Sequence, residues 1–391
     1  MRPTTLIPTL ALLCLLGIAN SAHSQTNRVL DLKNKGIAQL PSDPAMQASI
    51  EVLDLSNDQL TEIPDAVFKM TGLKKLVLSG NKIQAIPDQI KFLVNLEELY
   101  ISQAYNSHIN SEAGSTRTIS DELFKLPKLR VLDMAFFGIN EVPKALAGSH
   151  IQEVYLGHNK ITEVSEEVFM PKSLKVLDLS NNLIAALPDH IPLNPRIEVL
   201  RLNGNLITVL PDAVYNLYNV RELSLGENTL INPVTDIKRI IPMTHIARLD
   251  ISGAGITELP EELADLTELH ELDLSNNKLT KLPANFGKLI ALEKLSLSGN
   301  QLSVLPESMA SLTSLVKLDL SHNLFHVIPT ELASLTGLRV ANLSHNPELS
   351  GYSENIKALT SIKVVNLKNT AFNPFQLQHI DEILVACELV Y

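Results

Sequence analysis

The sequence predicts an α/β solenoid of about fifteen stacked repeats, each giving one strand to a parallel concave β-sheet and one short helix to the convex side. Three observations predict it. The first is a unit that occurs three times at a step of 23 residues: LHELDLSNNKLTKLP (Leu269–Pro283), LEKLSLSGNQLSVLP (Leu292–Pro306) and LVKLDLSHNLFHVIP (Leu315–Pro329). A fixed period in that range marks a chain whose units bury their apolar faces on one another. The second is the alternation inside each unit, where apolar residues at the fourth and sixth positions flank polar ones, the period-2 pattern of a strand with one face buried. The third is size: 391 residues exceed the roughly 250 to 300 at which single cores stop growing, a limit that a solenoid escapes.

These units match the pattern LxxLxLxxNxLxxLP, and in it the chain resembles the leucine-rich repeat family. The resemblance implies a leucine-rich repeat horseshoe that binds its ligand on the concave sheet face. The proline-bearing 23-residue class is similar both to exported bacterial (Bacteroidetes-type) repeat proteins and to the Ras-regulating scaffolds of animals and plants.

Residues 1–24 read as a secretory signal peptide, with Arg2, an apolar run from Leu6 to Ile18, and Ala22 and Ser24 as a small-x-small cleavage site. An uncleaved anchor is the alternative, but a run of 13 residues is shorter than the roughly 17 to 25 a spanning helix needs. Leu13 before Cys14 departs from a lipoprotein box, which wants a small residue there. The mature chain then holds only Cys387, so no intramolecular disulfide can form, and the disulfide-bonded caps usual in secreted animal and plant relatives are missing. Without Arg2 the charge is 31 Lys and Arg against 43 Asp and Glu, or −12. Such a chain has no general attraction to phosphate backbones or anionic lipid, so nucleic acid is not an expected partner.

Repeats start at Asn27, Ile50, Leu73, Leu96, Leu129, Ile151, Leu174, Ile197, Val220, Ile246, Leu269, Leu292, Leu315, Leu338 and Ile362, and together form a repeat domain over 25–372. The ninth position is Asn at Asn81, Asn159, Asn182, Asn205, Asn228, Asn277, Asn300, Asn323 and Asn346. Asn donates and accepts at once, so a stacked ladder of them can pair backbone groups that the inward turn would leave bare. Ten repeats carry a proline after the second apolar pair, from Pro41 to Pro329, where a fixed φ suits the first turn of a helix. Two repeats are long. The one starting at Leu96 carries ten extra residues within about 103–117, and the one starting at Val220 carries three around Asn232 to His245, read as a longer helix or loop. At the end, Asn373 and Pro374 open a helical cap over 373–391, with Leu377, Ile380, Ile383, Leu384 and Cys387 on one face and Cys387 read as a buried small hydrophobe.

No phosphate loop, nucleophile elbow, zinc-protease motif or C-x-x-C occurs, so no catalytic residue, cofactor or metal site is expected. Seven Asp residues at the fifth position, from Asp31 to Asp319, read as a solvated face rather than as acid–base pairs. His322 and His345, with His326, are too few for a metal site and read as surface histidines. Over positions two, three, five, seven and eight the concave face carries 14 Lys or Arg and 16 Asp or Glu, a mixed-sign surface whose charges pair across strands.

Aromatic residues are scarce, and they collect where the repeat breaks. Tyr100 and Tyr155 hold fifth positions, Phe136 an eighth, and Tyr105 lies in the insertion, while Ala104 and Phe137 displace the ladder Asn. A binding patch is therefore expected from Tyr100, Tyr105, Phe136, Tyr155 and His158, with His108 and Arg117 on a flexible lip. The alternative is that Phe136 and Phe137 turn inward to fill the place of the missing Asn. The functional expectation is an exported, non-enzymatic protein-binding module of the periplasm, cell surface or exterior. A carbohydrate-recognition module and an intracellular Ras-regulating scaffold are the alternatives, and no membrane span is expected once the signal is removed.

Overall fold

The computed structural model describes residues 28–35, 40, 43–103, 117–192, 196–230 and 233–391, so residues 1–24, expected to be a signal peptide, and residues 104–116 of the insertion lie outside the described residues. Sixteen three-residue strands lie side by side in chain order, all parallel, from Val29–Asp31 to Glu388–Val390. Fifteen of them are the expected repeat strands. The sixteenth, Glu388–Val390, comes from the cap and pairs in register with Val364–Asn366. A strand of three residues has too little sequence to announce itself outside the repeat pattern.

The strands turn their fourth-position residue inward, leucine in all repeats but those of Val154, Ala341 and Val365, and Leu53, Leu76, Leu99, Leu132, Leu177, Leu200 and Leu223 are all fully buried. The opposite side is built mainly from 3-10 helices of three to five residues, such as Asp88–Phe92 and Glu261–Asp265. Proline, expected inside the first turn, stands one position earlier at Pro87, Pro143, Pro211, Pro260, Pro306 and Pro329. There its carbonyl accepts the N–H three residues on, at 3.1 Å from both Ile90 and Leu263, and its own missing N–H is not needed. The three extra residues after Val220 convert this segment into a true α-helix, Pro233–Ile240. The buried Tyr215 hydroxyl pins it by donating to Asp236 Oδ1 at 2.8 Å.

The inner turn is held by the ladder of asparagines. Asn205 shows the pattern: its Nδ2 donates to Leu179 O of the preceding repeat at 3.0 Å and to its own Leu202 O at 2.8 Å, while its Oδ1 accepts from Ile184 N at 3.1 Å. Asn81, Asn159, Asn182, Asn228, Asn277, Asn300, Asn323 and Asn346 make the corresponding bonds. Two other residues fill half of the role. Asp58 Oδ1 accepts from Lys35 N at 2.8 Å, and Thr370 Oγ1 donates to Leu367 O at 2.7 Å.

The last helix, Pro374–Ile383, starts with a capping box in which Asn373 and Gln376 each bond the other's backbone N–H. Ile380 and Leu384 close the core. Cys387, expected to be buried, is half-buried. Burial still pushes its thiol above the usual range, and its Sγ donates to Glu388 O at 3.5 Å.

Candidate functional site on the concave face

The fifth positions form a row across the sheet, and strand register fixes their neighbours. Tyr100 stands opposite Asp133, Asp133 opposite Tyr155, and Tyr155 opposite Asp178. Tyr100 and Tyr155 are thus two strand spacings apart, roughly 9.6 Å, with one carboxylate between them. Each tyrosine leans along its own strand and donates its hydroxyl to the glutamate two residues back: to Glu98 Oε2 at 3.2 Å and to Glu153 Oε2 at 2.9 Å. Burial, then the neighbouring Glu153, pushes the Tyr155 hydroxyl up to about 12. Tyr100 is raised for the same reasons, with Glu98 as its partner.

The charges around them are unevenly matched. Lys75 on the preceding strand sits over the Tyr100 ring, 4.6 Å from its centre, and pairs with Glu98 at 3.0 Å. Arg130 reaches both Glu98 and Glu97. Burial would raise the Glu98 carboxyl, but Lys75 and Arg130 outweigh it and hold it below the usual range. Asp133 and Glu153 have no cationic partner within 4.0 Å among the described residues, and burial pushes the Asp133 carboxyl up.

Phe136 and His158 belong to the edge of this face. Both adopt left-handed backbone, with φ of 57° and 56°, and their rings stack at 4.1 Å and 6°. All described residues at the eighth position other than Gln103 share this conformation, filled elsewhere by Asn, Gly, His or Glu. Phenylalanine there is an outlier that costs roughly 1–2 kcal/mol.

Phe137 does turn inward and is fully buried, whereas Phe136 stays half-buried at the rim. Arg117 is not on a flexible lip. Its Nη1 donates to Ile83 O at 2.6 Å, its Nη2 to Gln103 Oε1 at 3.3 Å, and its guanidinium lies 5.6 Å from the Phe137 ring centre. In regular repeats the equivalent carbonyl accepts the tenth-position N–H of the next repeat, as Ile139 O does from Lys160 N at 2.8 Å. At the insertion the Ile83 carbonyl accepts from Arg117 and also from Gln103 Nε2 at 2.7 Å. The structure therefore brings together Tyr100, Tyr155, Phe136 and His158 over three adjacent strands and assigns Arg117 to the seam. Tyr105 and His108 lie outside the described residues.

Two groups on this surface escaped sequence reasoning. Asp178, Arg201, Glu222 and Arg248 form one cross-strand cluster, with Arg201 to Glu222 at 2.5 Å and Arg201 to Asp178 at 3.4 Å. Its signal is the alternation of charge at neighbouring third and fifth positions. The fifth-position aspartates are also more than a solvated face. Asp54, Asp178, Asp250 and Asp319 each accept both the N–H and the hydroxyl of the serine two residues on, closing the strand end. His322 and His345 stack at 4.0 Å, and His326 pairs with Glu348 at 2.6 Å instead of joining them. Among the described residues no group of three or more His, Cys, Asp or Glu is arranged to hold a metal, and no helix is long and apolar enough to cross a membrane.

An open sheet of parallel strands in chain order, held by a buried asparagine ladder, defines an α/β solenoid. The leucine-rich repeat region family matches residues 25–153 and 232–369, and the leucine rich repeat family matches 149–207; the chain belongs to the leucine-rich repeat family. A leucine-rich repeat protein of Leptospira interrogans is similar over 93% of this chain and 95% of its own, with 26% identity and a TM-score of 0.76. The ectodomain of the Arabidopsis thaliana receptor kinase GASSHO1/SCHENGEN3, solved with Casparian strip integrity factor 2, is 22% identical over 93% of this chain and 50% of its own, with a TM-score of 0.60. TLR13, solved with ssRNA13, is 21% identical over 89% of this chain and 55% of its own, with a TM-score of 0.63. At those identities the last two speak for the fold alone. No curated protein matches the sequence.

Proposed function

We propose that this chain is a non-enzymatic module that binds a protein ligand on its concave face near repeats four to six, after export directed by residues 1–24 and with residues 373–391 as its cap. The single observation that carries the reading is the row Tyr100–Asp133–Tyr155, the place where aromatic side chains stand on the sheet face beside the insertion. A preformed curved sheet loses little freedom on binding, and half-buried tyrosines supply apolar area at low entropic cost. The mixed charge of the face suits a protein surface better than a polyanion.

The test is membrane-impermeant crosslinking on intact cells of the source, comparing the wild type with Tyr100→Ala/Tyr155→Ala and identifying attached proteins by mass spectrometry. Loss of a specific adduct with an unchanged melting temperature supports the reading. An unchanged set of adducts with an unchanged melt removes it. Retention of binding on a glycan array, with the protein adduct absent, would transfer the same tyrosines to a carbohydrate ligand.

A further inference from the structure

We propose that the ground between Tyr100 and Tyr155 is a seat for a cationic side chain of the protein ligand, arginine above all, with Asp133 as its counter-ion. The proposal rests on the concave-face reading and specifies its chemistry.

Charge matching carries it furthest. On the strands Glu98–Tyr100, Val131–Asp133 and Glu153–Tyr155, with the residue preceding each and Lys75 beside them, two cations face four carboxylates. Lys75 and Arg130 are both committed to the Glu97 and Glu98 side. The two remaining carboxylates, Asp133 and Glu153, are those that flank the tyrosine pair. Elsewhere on the face Asp178 and Glu222 are matched by Arg201, Glu222 again by Arg248, Glu271 by Lys294 at 2.6 Å, and Glu51 by Arg28 at 2.8 Å. Fifth-position aspartates such as Asp54, Asp250 and Asp319 also stand without a cation among the described residues, but each is closed by the serine two residues on. Asp133 is followed there by Ala135 and alone has a tyrosine on both neighbouring strands.

The surroundings favour a cation with a flat apolar face. Val131 between the two glutamates is 3% exposed, while Val52, Val176, Val199, Val340 and Val364 at the same repeat position remain partly exposed. The flanking side chains close over Val131, so the accessible level is that of the rings and of Asp133. Lys75 on the preceding strand already uses the Tyr100 ring as a cation platform, while Tyr155 has no such cation among the described residues. Tyrosine faces attract guanidinium groups, and a half-buried carboxylate strengthens that attraction by restoring the charge balance it lacks. Burial holds the Asp133 carboxyl above its usual range, and an incoming cation reverses that shift.

The test uses full-length mature protein labelled with 3-fluorotyrosine, whose fluorine resonances at positions 100 and 155 are assigned from Tyr100→Phe and Tyr155→Phe. The probes are Nα-acetyl-arginine amide and its neutral isostere, Nα-acetyl-citrulline amide. The expected result is a saturable shift of both resonances with the arginine probe alone, weakened by about tenfold in Asp133→Asn, the order of one lost ion pair. Asp133→Asn should melt no lower than the wild type, since the amide oxygen still accepts from Ala135 N and the buried charge is gone. Equal shifts with the citrulline probe, absence of shifts, or full affinity in Asp133→Asn overturns the proposal. A protein adduct on cells that needs Tyr100 and Tyr155 but persists in Asp133→Asn also overturns the seat, while leaving the concave-face reading intact.

Discussion

Asn228 is 1% exposed, and its side chain holds Leu202 O, Leu225 O and Ile207 N in place. Replacing it with Ala strands two carbonyls and one N–H in the interior. Each unsatisfied buried group costs about 1–3 kcal/mol, and partial relaxation brings the expected loss to about 2–4 kcal/mol. A fall of that size in the urea unfolding free energy at an unchanged slope is the expected outcome; a loss below about 1 kcal/mol would deny the ladder its stabilising role. The identity and spacing of these asparagines could be read directly, because one chemistry recurs at one position. The substitutes Asp58 and Thr370 could not, since each does part of the work with a different group, and neither could the bond of Arg117 to Ile83 O at the insertion. Arg117 in particular is separated from Ile83 by 34 residues, and only folding brings them together.

At the scale of elements, the cross-strand cluster around Glu222 shows how a sheet face buries charge. The Glu222 side chain is only 10% exposed, with Arg201 on one side and Arg248 on the other. Burial would raise its carboxyl, but the two guanidinium groups outweigh that and hold it below the usual range. A group whose folded pKa is depressed contributes stability that is full above its unfolded value, about 4.3, and is lost as pH falls through the folded one. Glu222→Gln should therefore melt below the wild type at pH 7, and the gap should close under about pH 4. A gap that stays constant between pH 7 and pH 3 would show that geometry, not charge, sets the difference. The elements themselves follow from the repeat: strands of three residues, a left-handed eighth position, and a proline ahead of most short helices, with serine in its place at Ser120, Ser165 and Ser353. The exceptions are the α-helix Pro44–Ser49 in the first repeat, the α-helix Pro233–Ile240 after three added residues and the strand Glu388–Val390 after the last repeat.

For the whole molecule, stability is a chain of nearest-neighbour contacts, so a weak junction remains weak even when the rest is regular. The ladder asparagine is replaced at Ala104 and Phe137, and the seam between repeats three and four is held by the side chains of Gln103 and Arg117 on Ile83 O. Amide hydrogen exchange over residues 78–103 and 117–138 should be faster than between Leu274 and Leu324, where every repeat keeps its Asn. Equal protection in the two stretches would show that Arg117, Gln103 and Phe137 restore the junction fully. A ligand on the Tyr100–Tyr155 row should slow exchange in the first stretch and leave the second unchanged, because it bridges the strands of repeats four to six, where the ladder asparagine is missing twice.

The sequence by itself determined the solenoid, the repeat count, the asparagine positions, and the fact that aromatic residues cluster where the pattern breaks. Periodicity is sufficient for these, since each repeat buries the same face by the same means. Only the tertiary structure decided what the break looks like. The insertion shifts the numbering by ten, so the register that sets Asp133 between Tyr100 and Tyr155 depends on strand pairing across it. The opposite fates of Phe136 and Phe137 were equally hidden. Adjacent in sequence, they are separated by the turn, whose left-handed residue keeps one ring at the rim against His158 and sends the next into the core.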